Sequence, residues 1–158
     1  MCRLLVVSIL LVASAAAVAA GNDRDQPVHI EAAQCQAGLE TRDSSCKGDV
    51  VVTQGTTRLQ GEEIKARQDQ EDHLYVQGAG KPVRFRQQME KDKTWVQGEA
   101  ERFDYDGKIE RLRLFDRAWV KHEKDEVRAE VLIYDIPEKF AEAPGKPGTR
   151  VYMVVQPK

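Results

Sequence analysis

GDVVVTQGTTRLQGEEIKA, from Gly48 to Ala66, is the stretch of sequence that decides the fold. It holds a valine-rich run, a polar turn signal at Thr53-Gln54-Gly55-Thr56, and a second run with the spacing Leu59-x-Gly61-x-x-Ile64-x-Ala66. A valine-rich run and a second, partly apolar run around a short polar segment are compatible with a pair of antiparallel strands. By itself this unit is equally compatible with one β-hairpin in a mixed fold, so its recurrences have to decide.

Variants of the second run recur along the chain, aligned on a small residue. The small residues stand at positions 32, 61, 100 and 129, which gives intervals of 29, 39 and 29 residues. An insertion at Gln87–Lys93 accounts for the longer middle interval. Self-similarity at such a period is typical of stacked repeats, in which no single copy buries its apolar face alone. The four segments are Ile30-x-Ala32-x-x-Cys35-x-Ala37, Leu59-x-Gly61-x-x-Ile64-x-Ala66, Gly98-x-Ala100-x-x-Phe103-x-Tyr105 and Val127-x-Ala129-x-x-Leu132-x-Tyr134.

The spacing within each repeat predicts a corner in the chain. The small residue and the next apolar residue are three positions apart, which would place them on opposite faces of a straight strand. Both face the interior only if the chain bulges or bends between them, and Gly or Ala suits the close backbone approach at a bend. Each repeat therefore supplies a strand to each of two facing sheets. The predicted fold is all-β: an open, twisted antiparallel β-jellyroll or solenoid-like two-sheet sandwich.

Turn signals separate the predicted strands. Gly78-Ala79-Gly80 and the charged tip Glu123-Lys124-Asp125 are two of them. Asp106-Gly107 is the strongest hairpin signal, because a type I′ turn needs positive φ at both central residues and Asp-Gly accommodates this. Sustained helical periodicity with capping residues is nearly absent, which favours an antiparallel all-β fold.

The first twenty residues have the features of an export signal. Arg3 gives a positive start, Leu4–Val12 forms an apolar core, and small residues at positions 18 and 20 suit cleavage before Gly21. The competing interpretation is a retained membrane anchor, although the apolar run is short and dissolves into alanine. The sequence thus predicts an exported protein.

The exported part corresponds to one domain. We expect a cleaved leader at 1–20, a β-jellyroll domain at 21–136, and a Pro- and Gly-rich connection with a final edge strand at 137–158. Beyond the leader the chain carries 23 basic and 26 acidic residues, scattered rather than grouped in blocks. A surface so nearly balanced in charge argues against nucleic acid as a partner.

The chain carries no pattern typical of an enzyme or of a metal site. His29, His73 and His122 share no ligand spacing with Cys, Asp or Glu, and the carboxylates form no recognisable acid–base pair. We therefore predict no enzymatic activity, no cofactor and no metal. Cys35 and Cys46 are an even pair in an exported chain, so they form either a disulfide or two independently buried small residues.

A binding role suits this architecture better than catalysis. The inner faces would form an apolar slot, and its open ends would leave unpaired strand edges for another chain to extend. The same residues would line any filled sandwich core, so slot and core remain alternatives. The slot candidates are Val50, Val52, Leu59, Ile64, Val83, Phe85, Phe103, Leu114, Val120 and Leu132. The edge candidates are Val28 and Ile30 in the first strand and Val151, Met153 and Val155 in the last.

The exported part resembles the OstA-like family over nearly all of its length. The resemblance lies in the leader, in Gln26-Pro-Val-His-Ile-Glu-Ala, in Gly48-Asp-Val-Val-Val-Thr-Gln-Gly, in Gly80-Lys-Pro-Val-Arg-Phe and in Gly148-Thr-Arg-Val-Tyr-Met-Val-Val. It implies a periplasmic β-jellyroll that shields the acyl chains of lipid A while lipopolysaccharide passes from the inner to the outer membrane. It also implies LptC as the partner at the N-terminal edge and LptD at the C-terminal edge, and the same edges would allow head-to-tail self-association.

The chain departs from that family in two features and leaves two alternatives open. The departures are the Cys35/Cys46 pair and the short first repeat. The alternatives are an LptC-like, membrane-anchored jellyroll of the same pathway and a structural β-solenoid that binds no ligand. Four arginines would either meet phosphate groups or form a solvated outer face, namely Arg84, Arg86, Arg111 and Arg113.

Overall fold

The computed structural model describes residues 23–89 and 92–157, so the predicted leader lies outside the described residues. Within these ranges the chain is almost entirely strand after a short 3-10 turn at Asp23–Asp25. In this part of the chain no helix is long and apolar enough to cross a membrane. The strands are β1 (Val28–Glu31), β2 (Gln34–Gly38), β3 (Asp43–Gln54), β4 (Thr57–Gln68), β5 (Leu74–Gln88), β6 (Trp95–Asp106), β7 (Arg111–His122), β8 (Asp125–Asp135), β9 (Phe140–Glu142) and β10 (Tyr152–Val154).

All ten of these strands belong to one antiparallel sheet. The long strands β3 to β8 pair in sequence order, β1 and β2 both pair with β3 at one edge, and β9 and β10 both pair with β8 at the other. This arrangement confirms the predicted open antiparallel jellyroll. The tail prediction was incomplete, because the Pro- and Gly-rich connection also contains β9.

Each long strand bends where the repeat spacing predicts a corner. The β4–β5 ladder loses its register between Gln60 and Glu63, at Gly61, and the β7–β8 ladder loses its register beside Ala129. A Cβ atom on Gly61 would come within 3.1 Å of the Ala79 carbonyl oxygen, so the small residue permits close approach of the neighbouring backbone. The step of three residues therefore spans a bulge, and both flanking apolar residues face inward.

The bends fold the sheet into two facing walls that share the same strands. Lys139, beyond one end of β8, lies 3.2 Å from Asp92, before the opposite end of β6, which is possible only because the strands double back. Since each strand crosses from one wall to the other at its bend, the two predicted sheets are one continuous ladder. Wall A comprises 28–31, 50–61, 83–88, 95–100, 118–129 and 152–154, and wall B comprises 34–47, 63–79, 102–115, 131–135 and 140–142.

Two turn predictions are confirmed. Gln54 pairs with Thr57, so Gly55 and Thr56 form a two-residue turn, in which Gly55 has a φ of 56°. The charged tip at 123–125 likewise joins β7 to β8, with positive φ at Glu123. In both turns the backbone twist matches that of the strands it connects.

The hairpin predicted at Asp106-Gly107 is present, but its predicted type I′ turn is wrong, and so is the turn predicted at Gly78-Ala79-Gly80. Asp106 still pairs with Arg111, so the β6–β7 connection is a four-residue loop whose positive φ falls on Glu110 rather than on Asp106-Gly107. Gly78-Ala79-Gly80 lies inside β5, at its bend. A Cβ atom on Gly78 would collide with the Phe103 ring and lie 2.9 Å from a backbone oxygen, so this glycine makes room for a core aromatic ring.

The inner side is packed most tightly between β5 and β8. Leu114 and Leu132 are almost completely buried there, at 1% and 0% exposure. A smaller buried cluster lies at the β3–β4 end and contains Cys46, Val50 and Ile64. The larger cluster contains Val83, Val96, Ala100, Phe103, Leu112, Leu114, Ala118, Val120, Ala129, Leu132 and Tyr134.

Candidate functional site: an inner cavity and two strand edges

A cavity of about 630 Å³ lies between the two walls at the β1–β4 end of the molecule. Its floor is apolar, because alternate residues of each strand point inward. Its mouth is polar and lies where the free ends of the two walls face each other. The apolar lining is Val28, Ile30, Val50 and Val52 from wall A, and Cys46, Ile64, Ala66, Leu74 and Val76 from wall B.

The ten slot candidates divide between this cavity and the packed core. Val50, Val52 and Ile64 line the cavity, and Leu59 packs between the two buried clusters. The other six lie in the larger cluster or pack against it: Val83, Phe85, Phe103, Leu114, Val120 and Leu132. The structure therefore contains both alternatives, an open slot at one end and a filled core at the other.

One inner row of cross-strand neighbours runs from edge to edge along wall A. It begins at Ile30 in β1 and ends at Met153 in β10, and both are predicted partner-edge residues. Its members are Ile30, Val52, Leu59, Phe85, Gly98, Val120, Val127 and Met153. Gly98 adds no side chain to the row. An added Cβ atom there would lie 2.6 Å from the Phe85 ring, so this ring occupies the space and the row remains continuous.

The matching inner row of wall B begins with a disulfide. The sulfur atoms of Cys35 and Cys46 are 1.99 Å apart and join β2 to β3. Of the two sequence alternatives, the structure therefore contains the bonded pair. Cys46 lines the cavity, so this bond also fixes the position of the cavity wall at the open end.

The polar mouth is organised by the loop between β4 and β5. Arg42 forms an ion pair of 2.5 Å with Asp72, and both side chains are largely exposed. Burial alone would raise the pKa of the Asp69 carboxyl, but backbone N–H groups of His73 and Glu71 donate to it and outweigh burial, so the pKa is lowered. The charged carboxylate thus holds this loop in its conformation.

The N-terminal segment is tied to the tip of the first long hairpin. Thr56 donates from its backbone N–H (2.8 Å) and its hydroxyl (2.5 Å) to the Asp23 carboxylate, and Thr57 Oγ1 donates at 3.2 Å. Burial would raise the pKa of Asp23, but these hydrogen bonds outweigh it and the pKa is lowered. This anchor places β1 at the edge of the cavity.

The outer faces of both walls are polar and internally paired. Arg84 binds Glu99 at 2.8 Å, and Arg113 binds Asp104 at 2.5 Å. A depression of about 720 Å³ on the outer face of wall B is lined by similarly balanced charges. Such exposed pairs describe a solvated surface rather than a phosphate site.

The two strand edges expose apolar side chains. At the N-terminal edge, Val28 and Ile30 are 48% and 44% exposed. At the C-terminal edge, Val151, Met153 and Val155 are exposed as well. An edge strand with exposed backbone and apolar side chains is the form that pairs with another strand.

The three histidines lie in different parts of the fold: His29 in β1, His73 just before β5 and His122 at the end of β7. Among the described residues no group of three or more His, Cys, Asp and Glu side chains could hold a metal ion. His73 contacts the Asp69 carboxylate at 3.2 Å, and His122 contacts Thr94 at 2.6 Å. These contacts tie the His73 ring to the β4–β5 loop and the His122 ring, at the end of β7, to the residue before β6.

Sequence reasoning missed several cavity-lining residues. Ala66, Val76 and Leu74 line wall B of the cavity but were not named as slot residues. Their signal was present, since Ala66 follows Ile64 by two positions and Leu74 precedes Val76 by two. Val28 and Ile30 were assigned to the edge alone, although they also line the cavity.

Comparison with known proteins places this chain in one family. The family model described as LptA/(LptD N-terminal domain) LPS transport protein matches residues 29–140. The lipopolysaccharide export system protein LptH of Pseudomonas aeruginosa is 30% identical, with 92% of this chain and 87% of that protein covered. The lipopolysaccharide export system protein LptA of Escherichia coli K12 is 28% identical, with 98% of this chain and 84% of that protein covered.

A solved structure shows the same architecture. The crystal structure of LptH, described as the LptA-homologous periplasmic component of the lipopolysaccharide transport device of Pseudomonas aeruginosa, superposes with a TM-score of 0.76 at 30% identity. The match covers 85% of this chain and 99% of that one. The chain belongs to the LptA/(LptD N-terminal domain) family of LPS transport proteins.

Proposed function

We propose that this chain is a periplasmic component of lipopolysaccharide export that shields the acyl chains of lipid A between its two walls. The observation that carries the proposal is the apolar inner row that begins at an open cavity and continues from one exposed strand edge to the other. The relatives named as lipopolysaccharide export proteins support the same role. In this proposal the chain binds and transports lipopolysaccharide and does not act as an enzyme.

The cavity has the chemistry that an acyl chain requires. Each CH₂ group that leaves water contributes about 0.8 kcal/mol, so a chain of about twelve carbons gains about 10 kcal/mol from burial. Side chains such as Val52 and Ile64 provide the apolar surface for that burial. The sugar and phosphate groups remain outside, at the polar mouth beside Arg42 and Asp72.

The two edges are the proposed docking sites for the rest of the export machinery. Strand addition at β1 would join LptC, and strand addition at β10 would join LptD, in each case extending the inner row into the partner. Copies of this chain could join head to tail through the same edges. The exposed apolar residues Val28, Ile30, Met153 and Val155 support this arrangement.

Photo-crosslinking tests the proposal directly. A photoreactive residue at Val52 should label with purified lipopolysaccharide, because Val52 lines the cavity. The matched control is Arg84, which lies on the same wall but points outward to Glu99. Equal labelling at the two positions, or none at either, would refute the slot.

A further inference from the structure

The two walls meet differently along the length of the molecule. We call the line where their free ends face each other the seam. At the β3–β4 end the seam is the polar mouth of the cavity, where Gln54 of wall A and Gln68 of wall B both border the opening. We call the free end of each wall its rim. At the β6–β8 end the two rims are in contact.

The contact across the seam is an ion pair between distant parts of the chain. Lys139 Nζ lies 3.2 Å from Asp92 Oδ2, although the two residues are 47 positions apart. Asp92 precedes the wall A end of β6, and Lys139 follows the wall B end of β8. The pair therefore closes the walls on each other.

The wall A side of this contact is held in place by a short hydrogen-bond chain. Thr94 donates to Asp92 Oδ1 from its backbone N–H (3.2 Å) and from its hydroxyl (2.6 Å). The Thr94 hydroxyl also lies 2.6 Å from His122 Nε2, at the end of β7. Hydrogen bonds from Thr94, and then the charge of Lys139, lower the pKa of Asp92, so its carboxylate stays charged.

Beneath the ion pair the seam is apolar. Met89, from the wall A rim, and Ile136, from the wall B rim, both pack against the larger buried cluster. Tyr134 lies buried in the same cluster, and burial together with the Asp92 charge raises its pKa. This end of the slot is therefore covered from the side, whereas the β3–β4 end is not.

The middle repeat supplies the wall A rim of this contact. Its interval of 39 residues exceeds the other two by ten, and the excess lengthens β5 and its connection to β6, where Met89 and Asp92 stand. Both charged side chains are about one-third to two-fifths exposed, at 34% for Lys139 and 41% for Asp92. An ion pair with this much solvent contact is weak enough to open and close.

We propose that the Asp92–Lys139 pair is a lateral latch over the packed β6–β8 half of the interior, and that this half admits acyl chains from the open cavity only when the latch releases and its walls separate. The inference rests on the proposed function, since it concerns the path of the same ligand. When the latch opens, Met89 and Ile136 separate and the inner row toward Met153 becomes accessible. The open cavity and the latched half are then two successive binding sites for one acyl chain.

The test places photoreactive residues at Val52, in the open cavity, and at Ile136, beneath the latch, and uses purified lipopolysaccharide as the probe. Lys139→Glu puts a repelling charge against Asp92 and should raise labelling at Ile136 several-fold. Lys139→Arg keeps the charge and should leave labelling at Ile136 low. Labelling at Val52 should be the same in all of these proteins.

Two controls separate the latch from general loosening. Asp116→Asn breaks an outer ion pair with Arg102 in which the carboxylate is about as exposed as that of Asp92, and it should not change labelling at Ile136. In the otherwise unaltered protein, raising the salt concentration should increase labelling at Ile136, because salt screens exposed pairs. This second measurement needs no substitution at the latch.

The outcomes distinguish the latch from the function on which it rests. Labelling at Ile136 that is equal with Lys139 and with Lys139→Glu, and that does not respond to salt, overturns the latch while labelling at Val52 upholds the slot. An equal rise with Asp116→Asn also overturns it. Absence of labelling at Val52 overturns the proposed function, and the latch with it.

Discussion

Val83→Ala and Val52→Ala remove the same two methyl groups from a filled core and from a cavity wall. Val83 is 2% exposed inside the larger cluster, so its loss leaves an enclosed void. Two methyl groups at about 0.8 kcal/mol each, plus the cost of the void, give a loss of about 2–3 kcal/mol in the free energy of unfolding. Val52 already borders the 630 Å³ cavity, so its truncation encloses no new void and should cost less than about 1 kcal/mol.

Urea unfolding of both variants, with the disulfide intact, measures this difference. The slope of unfolding free energy against urea should stay constant, so the midpoints report stability directly. Each kcal/mol should also lower the melting temperature by about 4 °C in a domain of this size. Equal losses for Val83→Ala and Val52→Ala would show that the two sites are packed alike, and the distinction between open cavity and filled core would fail.

Two further predictions concern the N-terminal end. Cys35→Ser with Cys46→Ser removes a link across a separation of 11 residues, and the loop-entropy relation predicts a loss of about 3 kcal/mol in unfolding free energy. A free thiol at either position in protein purified without reductant would contradict the bond. Asp23 has a folded-state pKa below its ordinary 3.8, so its contribution to stability is present above that pH and is lost as the pH falls below it. Asp23→Asn should therefore lower the free energy of unfolding at neutral pH, and the difference between the variant and the unaltered protein should become smaller in acid. Parallel profiles of stability against pH for the two proteins would refute the anchor.

The repeat pattern predicted the fold because it encodes a geometric conflict that only one arrangement resolves. A small residue three positions before an apolar one, as in Gly61 and Ile64, cannot place both inward on a straight strand. The structure resolves this with a register shift beside Gly61, Ala100 and Ala129, and with the break between β1 and β2 at Ala32. Local turn chemistry was less reliable, because Asp106-Gly107 tolerates a tight turn but does not require one. Pairing of Asp106 with Arg111 lengthened that turn into a loop.

The amino-acid sequence by itself determined which side chains face inward, since alternation and the position of the bend follow from backbone geometry alone. Whether those side chains touch one another across the interior depends on the separation of the two walls, which the alternation of residues does not specify. Only the tertiary structure decided that Val83 and Leu132 meet neighbours from the opposite wall while Val52 and Ile64 border a cavity. The contact of Asp92 with Lys139 depends on the same separation, because it joins strand ends that no local pattern relates.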